Sequence, residues 1–170
     1  MTLISDIIIS TPTLPSRFIS NQYKKFLFFD FFLTDNKDFY RELQKSVDFD
    51  SEIDLYCPQN LLPLGRIPYK KDWGTEISSV SRGAKNNCFG LIISERQNGW
   101  LIVQDLPINF GVLACDENSN SALNLFKKIS RDWFLTVDDF KLAYLDNKSL
   151  ICESVDISFI KTLILNYDSP

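Results

Sequence analysis

The stretch F-G-L-I-I-S-E-R-Q-N-G-W-L-I-V-Q-D, Phe89–Asp105, decides the fold class of this 170-residue chain. Two runs typical of β-strands, Phe89–Gln97 and Trp100–Asp105, flank the pair Asn98-Gly99. An Asn-Gly pair between two such runs is the strongest short signal for a β-hairpin, because a type I′ turn needs positive φ at both positions. The segment therefore predicts two adjacent antiparallel strands.

Four further segments have the composition of strands. They are Leu3–Ile9, Lys24–Leu33, Val47–Leu55 and Asn109–Cys115. Lys24–Leu33 carries aromatic and apolar residues on both faces, which favours a central strand buried on both sides, although a buried helix is the alternative. Between them, Pro58–Trp73 contains three prolines and four apolar Leu or Ile residues, and it predicts a long irregular loop of a kind that is often functional.

Helical periodicity marks three segments. Asp35 or Asn36 is placed to cap a helix that runs to about Ser46. The second helix is capped by Ser119 or Ser121 and has an apolar stripe formed by Ala122, Leu125, Phe126, Ile129 and Trp133. The third is Asp156–Tyr167, with Asp156 as its N-cap and Phe159, Ile160, Leu163, Ile164 and Tyr167 facing inward.

The segment before the last helix fits two structures. Phe140–Tyr144 and Leu150–Glu153 form a second hairpin around Asp146-Asn147, or a helix begins at Thr136. With either choice the whole chain, 1–170, reads as one α+β domain: a mainly antiparallel sheet with about three helices packed on it.

Acidic residues alternate with other residues in V-D-F-D-S-E-I-D-L, Val47–Leu55. A single strand would place Asp48, Asp50, Glu52 and Asp54 on one face, with neighbours roughly 6.5–7 Å apart, where their charges repel. No Lys or Arg lies between Lys45 and Arg66 to offset them. The pattern predicts a surface for a basic partner. The alternative is that charges on an edge strand deter aggregation.

A metal or cofactor site is not expected. D-x-D-x-E overlaps the start of a calcium loop, but Ile53 stands where that loop needs Gly, and Gln59 stands where it needs Glu. The four cysteines, Cys57, Cys88, Cys115 and Cys152, are widely separated and form no C-x-x-C pair. They are interpreted as reduced thiols, most of them in or beside apolar runs, and not as zinc ligands.

Composition argues against several functions. The chain has no His, which excludes Ser-His and Cys-His nucleophilic pairs and removes the commonest general acid–base residue, so no enzyme is expected. A net charge of −4 argues against direct nucleic-acid binding. The longest apolar run, Phe26–Leu33, is interrupted by Asp30 and is too short to span a bilayer. No convincing signal peptide is seen, so we expect a cytoplasmic protein that does not contact membranes, of undetermined oligomeric state.

Four more residues are candidates for partner contact. Asp138 and Asp139 extend the acidic character, and Trp73 and Trp100 would be interface anchors if they were exposed. The more common role of Trp is in the core.

The chain is small and acidic, has no His and is expected to carry an acidic strand face. In these features it resembles the immunity proteins of bacterial toxin–immunity pairs, including those of contact-dependent growth inhibition. N-G-W-L-I-V-Q-D, Asn98–Asp105, followed by a strand and an amphipathic helix, resembles the layout of the SUKH superfamily over at most a third of the chain. The resemblance implies a protein–protein complex with a cognate, often basic, nuclease toxin domain, and no chemistry.

Two alternatives remain open. One is a small hydrolase that uses carboxylates or Lys, with its site under the Pro58–Trp73 segment. The other is an acidic adaptor that mimics nucleic acid and binds a basic host protein.

Overall fold

A six-stranded sheet organises the chain in the computed structural model, which describes residues 3–84, 88–105, 109–146 and 149–168. The order across the sheet is β1-β6-β5-β4-β2-β3, and every neighbouring pair is antiparallel. The strands are β1 Tyr23–Phe29, β2 Glu52–Tyr56, β3 Pro63–Pro68, β4 Gly90–Glu95, β5 Trp100–Asp105 and β6 Gly111–Asp116. The predicted α+β class with a mainly antiparallel sheet is confirmed.

Seven α-helices occur in the described part of the chain, more than the three expected. They are α1 Ile4–Ile7, α2 Lys37–Ser46, α3 Trp73–Ala84, α4 Asn120–Lys128, α5 Val137–Leu145, α6 Leu150–Ser154 and α7 Ile157–Tyr167. Helix α3 is rich in Ser and Gly, which are poor helix formers. Burial of Trp73 and Ile77 against the sheet stabilises α3 in spite of this composition.

Helices cover both faces of the sheet, so two apolar cores form. On the first face α2, α3 and α4 pack against the sheet through residues such as Leu43, Ile77 and Leu125. On the second face α1, α5 and α7 do so, for example through Phe140 and Leu163. Because both faces are buried, the strands are apolar nearly throughout and do not show the alternation of a half-exposed sheet.

The aromatic segment Lys24–Leu33 is a strand over Tyr23–Phe29 and not the alternative helix. Phe29 faces the first core and Phe28 the second, as the pattern indicates. The prediction that it is central is wrong, because β1 lies at one edge of the sheet. Leu135 covers part of the outer side of β1. Phe28 N donates to Leu135 O at 2.8 Å, and Leu135 N donates to Phe28 O at 2.6 Å.

The predicted hairpin is confirmed as β4 and β5, with Ile93 opposite Ile102. The predicted type I′ turn is wrong. Residues 96–99 form a four-residue loop in which Asn98 N donates to Glu95 O at 2.8 Å, and Asn98 has positive φ while Gly99 does not.

Two segments differ from their predicted structure. Leu3–Ile9 is not a strand: it contains helix α1 and a single bridge between Ile8 and Ile19. Pro58–Trp73 is not one irregular loop, because Pro63–Pro68 forms edge strand β3 and Trp73 begins α3. Proline is tolerated in β3 because an edge strand does not need every N–H for pairing.

The helix predictions have a mixed outcome. Asn36, Ser119 and Asp156 each accept a backbone N–H as N-cap residues of α2, α4 and α7. Helix α4 ends at Lys128, so Trp133 belongs to a separate 3₁₀ turn and not to the helical stripe.

The second hairpin is wrong and its alternative is right. Thr136 caps α5, and Leu150–Ser154 is also helical. Of the predicted turn pair, Asn147 lies outside the described residues. No helix in the described part of the chain has the length and apolarity needed to cross a membrane.

Candidate functional site

The acidic segment Val47–Leu55 is not a single strand. Its first half is a turn, in which Ser51 N donates to Asp48 O at 3.0 Å, and β2 begins only at Glu52. Phe49, expected on the buried face, is 80% exposed. The polypeptide needs this turn because it must change direction between the end of α2 and the start of β2. The alternation of acidic and other residues in the sequence gives no sign of this turn.

Three of the four predicted acids nevertheless meet at one surface cleft of about 600 Å³. Asp48, Asp50 and Glu52 line it from the turn and from the start of β2. The cleft also contains a fourth carboxylate, Glu95, at the end of β4. Its remaining lining residues are Ser51, Arg96, Gln97, Asn120 and Ser121. We call this surface the acidic cleft.

Basic residues distant in sequence neutralise part of the acidic segment, contrary to the expectation from local sequence. Arg96 Nη1 lies 2.5 Å from Glu52 Oε2. Lys128 Nζ lies 3.5 Å from Asp48 Oδ1. Asp50 is exposed and has no ion pair within the described residues. Asp50 is therefore the carboxylate of the cleft most available to a basic group from outside.

Glu95 is the buried member of the acidic cleft, with 4% of its surface exposed. Its Oε2 accepts hydrogen bonds from Ser121 Oγ at 2.8 Å and from Gly99 N at 3.1 Å. Burial raises the pKa of the Glu95 carboxyl above its ordinary value, and the charges of Asp48 and Asp50 add to the rise, whereas the two hydrogen bonds oppose it. A buried carboxyl with a raised pKa is a feature of functional sites as well as of structural ones.

No pattern in the sequence marks Glu95 as a site residue. In the sequence it is a charged residue next to a hairpin turn, a position normally read as solvent-exposed. Its burial depends on Ser121, which lies 26 positions later in the chain.

The hairpin loop approaches helix α4 closely at Gly99. A Cβ added at Gly99 would lie 2.6 Å from Ser121 Oγ and 2.7 Å from Glu95 Oε2, and it would also collide with Ser119 Oγ. These distances are well below van der Waals contact. The absence of a side chain at Gly99 therefore lets the loop, the start of α4 and the Glu95 carboxylate form the wall of the acidic cleft.

Asp54 lies outside the acidic cleft. It is 8% exposed and is held by Arg66, whose Nε lies 2.6 Å from Oδ1 and whose Nη2 lies 3.1 Å from Oδ2. This hydrogen bonding to Asp54 raises the pKa of the Arg66 guanidinium. Because Arg66 belongs to edge strand β3, the pair connects β2 to β3 and does not present a carboxylate for a partner.

Asp138 and Asp139 do not join the acidic cleft either. They begin α5 on the second face of the sheet, whereas α4, which borders the cleft, packs on the first. Asp139 Oδ2 accepts from the N and Oγ1 of Thr136, both at 2.7 Å, and so stabilises the start of α5. Asp138 lies 3.2 Å from Lys141 Nζ at the surface.

The two tryptophans proposed as anchors are fully buried. Trp73 and Trp100 both have 0% exposure and belong to the first core. They are therefore not exposed interface anchors, and the core role given as the more common one is the one observed. Large aromatic side chains remove so much apolar surface from water that a position between sheet and helices is favoured over the surface.

Among the described residues, no group of three or more carboxylate or thiol side chains is arranged to hold a metal ion. Comparisons of the chain with protein-family models, with curated proteins and with solved structures each gave no match. Fold and site together define an α+β protein with helices on both faces of an antiparallel sheet and an acidic cleft at the surface. Its function has to be argued from that cleft.

Proposed function

We propose that this chain is a non-enzymatic immunity protein that binds and neutralises a basic toxin domain, such as a nuclease, through the acidic cleft. The observation that carries the proposal is the composition of the cleft: four carboxylates and one guanidinium, contributed by the turn before β2, by β2 and by the β4–β5 hairpin. A basic side chain of a partner meets a concentrated negative potential there.

The cleft is suited to receive such a side chain. Asp50 is exposed and forms no ion pair with any described residue. The ion pairs of Asp48 with Lys128 and of Glu52 with Arg96 are partly exposed to solvent. A Lys or Arg side chain of the partner can therefore form an ion pair with Asp50. It can also compete with Lys128 for Asp48 and with Arg96 for Glu52. Close charge pairs across protein interfaces couple by about 1.5–7 kcal/mol, and complementary potential also speeds association.

The absence of His supports binding over catalysis, since the usual proton-transfer and metal-ligating side chain is missing. The net charge of −4 supports a basic partner.

The test uses charge reversal with a matched control. A partner is first captured from the native cell at physiological salt, and its toxin domain is then purified and titrated with wild-type chain, Asp50→Lys and Glu153→Lys. Glu153 is an exposed acid on α6, so both variants change the net charge equally. We expect Asp50→Lys to weaken the complex by roughly tenfold or more and Glu153→Lys by less than about threefold. Equal losses for the two variants would contradict a role for the cleft.

Growth separates immunity from simple binding. The captured partner, expressed alone in a test cell, should stop growth, and co-expression of this chain should restore it. Binding without rescue, or equal affinity for many unrelated basic proteins, would reject the immunity function in favour of an acidic adaptor.

A second candidate is a hydrolase, and the specific observation behind it is Glu95. A buried carboxyl with a raised pKa beside other carboxylates is what general acid catalysis requires. The 58–73 segment, under which such a site is expected from the sequence, contains β3 and the start of α3 and is not one irregular loop. Screening of phosphoester, glycoside and peptide substrates with wild type and Glu95→Gln tests it. Activity that Glu95→Gln abolishes, while toxin binding persists, would make hydrolysis the leading function.

A further inference from the structure

Two cysteines lie at the end of the sheet opposite the acidic cleft. Cys57 directly follows β2, and Cys88 lies just before β4. Strands β2 and β4 are antiparallel neighbours, with Tyr56 opposite Ile92. The residue that follows β2 and the residues that precede β4 therefore lie at the same end of this strand pair. The acidic cleft is at the other end of this strand pair, where Ile53 is opposite Glu95.

Gln59 holds the two segments together. Its Oε1 accepts from Cys57 Sγ at 3.1 Å and from Phe89 N at 2.9 Å. Its Nε2 donates to Phe89 O at 2.5 Å and to Asp105 Oδ1 at 2.6 Å. One side chain therefore binds the backbone next to Cys88 and the thiol of Cys57 at the same time.

Both thiols are reduced and lie on either side of Gln59. Its Oε1 accepts from Cys57 Sγ and from the N–H of the residue directly after Cys88, and Cys88 Sγ approaches Gly90 O at 3.5 Å. Cys57 is 2% exposed, whereas Cys88 is partly exposed. The other two cysteines are elsewhere: Cys115 is in the first core on β6, and Cys152 is on α6 against Ala143 O.

We propose that Cys57 and Cys88 form an oxidisable dithiol that closes to a disulfide with a peroxide as oxidant. Cys88, the more exposed residue, attacks one peroxide oxygen through its thiolate. The O–O bond breaks, and Cys88 becomes a sulfenic acid as the first water leaves. The Cys57 sulfur then attacks the Cys88 sulfur, the S–O bond breaks, and the second water leaves with the Cys57 proton. Two thiols and one hydrogen peroxide thus give one disulfide and two waters.

The surroundings of the pair set its rate. Burial raises the pKa of the Cys88 thiol to about 12, and the neighbouring Cys57 adds to the rise. Since the thiolate is the nucleophile, closure is slow at neutral pH and accelerates with pH.

Peptide mapping of the intact chain tests the proposal. The purified, fully reduced protein is treated with hydrogen peroxide at about pH 7 and pH 9, quenched with an alkylating reagent, digested and analysed by mass spectrometry. We expect one main cross-linked peptide pair, Cys57 with Cys88, with Cys115 and Cys152 outside any cross-link, and a rate that rises roughly tenfold per pH unit. Cross-links that involve Cys115 or Cys152 instead, or a Cys88 that only reaches the sulfinic state, would overturn it.

Variants provide the second measurement. Cys57→Ser should abolish the cross-link and Cys152→Ser should leave it unchanged. Closing a loop of about 30 residues should also raise the Tm of wild type and Cys152→Ser by roughly 5–10 °C, and should leave Cys57→Ser unshifted. An equal shift in Cys57→Ser would contradict the disulfide. This inference does not rest on the proposed function, since the cleft and its partner play no part in it.

Discussion

Ser121 Oγ, in the first turn of α4, donates a 2.8 Å hydrogen bond to Oε2 of Glu95, the last residue of β4. The same carboxylate oxygen accepts from Gly99 N, so two donors from different segments hold one buried acid. This contact joins the β4–β5 hairpin to the helix that packs on the first face of the sheet. It also orients the deepest charged group of the acidic cleft.

Glu95→Gln should change the pH dependence of stability. Burial raises the Glu95 pKa, so the folded chain binds this proton more tightly than the unfolded chain, whose carboxyl has a pKa near 4.5. Wild type therefore loses stability as pH rises from the unfolded pKa through the higher folded one. Gln keeps an acceptor for Ser121 and Gly99 and does not titrate. We expect Glu95→Gln to gain stability relative to wild type between about pH 4 and pH 8 in urea unfolding.

Glu153→Gln, at an exposed position on α6, is the matched control and should show no such gain. A stability difference between Glu95→Gln and wild type that is the same at both pH values would show that Glu95 has no raised pKa.

Replacing the two buried tryptophans by Phe should have unequal costs. Trp73 Nε1 donates to Pro68 O at 3.3 Å, whereas Trp100 Nε1 is buried with no hydrogen-bond acceptor among the described residues. Both substitutions remove similar apolar surface, but only Trp73→Phe removes a hydrogen bond, and Trp100→Phe removes an unsatisfied donor. Trp73→Phe should therefore cost about 1 kcal/mol more in the free energy of unfolding, measured by denaturant titration. Equal costs would mean that Trp100 has an acceptor in solution.

Two glycines should respond to Ala in opposite directions. Gly90 has φ of 106°, and an added Cβ would collide with Gln104 O on the neighbouring strand. Gly90→Ala should lower the free energy of unfolding by about 2–4 kcal/mol. Gly83 is helical with open space around it, so Gly83→Ala should raise that free energy by about 0.5–1 kcal/mol. Thermal unfolding of both variants checks the sign, and a stabilising Gly90→Ala would refute the strand geometry described at β4.

Gln104→Leu should be strongly destabilising although it keeps the side-chain volume. Gln104 is 1% exposed, and its Oε1 accepts from Leu33 N at 2.9 Å. Its Nε2 donates to Phe31 O at 2.7 Å and to Asn109 O at 2.8 Å. Leucine would remove the buried bond to Leu33 N and the partly buried bonds to Phe31 O and Asn109 O, at a cost of about 2–4 kcal/mol in the free energy of unfolding.

The exposed Gln97→Leu provides the reference and should change that free energy by less than about 0.5 kcal/mol. A Gln104→Leu variant as stable as Gln97→Leu would show that the 31–33 segment does not depend on Gln104.

Local signals predicted the elements that depend on local interactions. The Asn98-Gly99 hairpin and the caps Asn36 and Asp156 are correct because strand pairing across a short loop and N-capping involve residues only a few positions apart. The strand β1 is correct because its aromatic and apolar composition favours a strand, although its pairing strand β6 lies far along the chain. The sequence does not predict helices α3 and α1, because α3 is rich in Ser and Gly, α1 has only four residues, and burial supplies much of their stability.

In the acidic segment, too, local sequence predicts some features and tertiary contacts decide others. Its composition correctly marked Asp48, Asp50 and Glu52 as neighbours at one surface. The ion pairs that partly neutralise them come from Arg96, 44 positions beyond Glu52, and from Lys128, 80 positions beyond Asp48. No local pattern carries that information.

The sequence by itself determined the α+β class, the antiparallel hairpin and the absence of His chemistry. Only the tertiary structure decided which acids face solvent, which are paired, and that Glu95 is buried among them. The physical reason is that burial and ion pairing depend on through-space distance. The folded sheet brings the turn before β2, the hairpin and the start of α4 within a few ångströms of each other, although they are far apart along the chain.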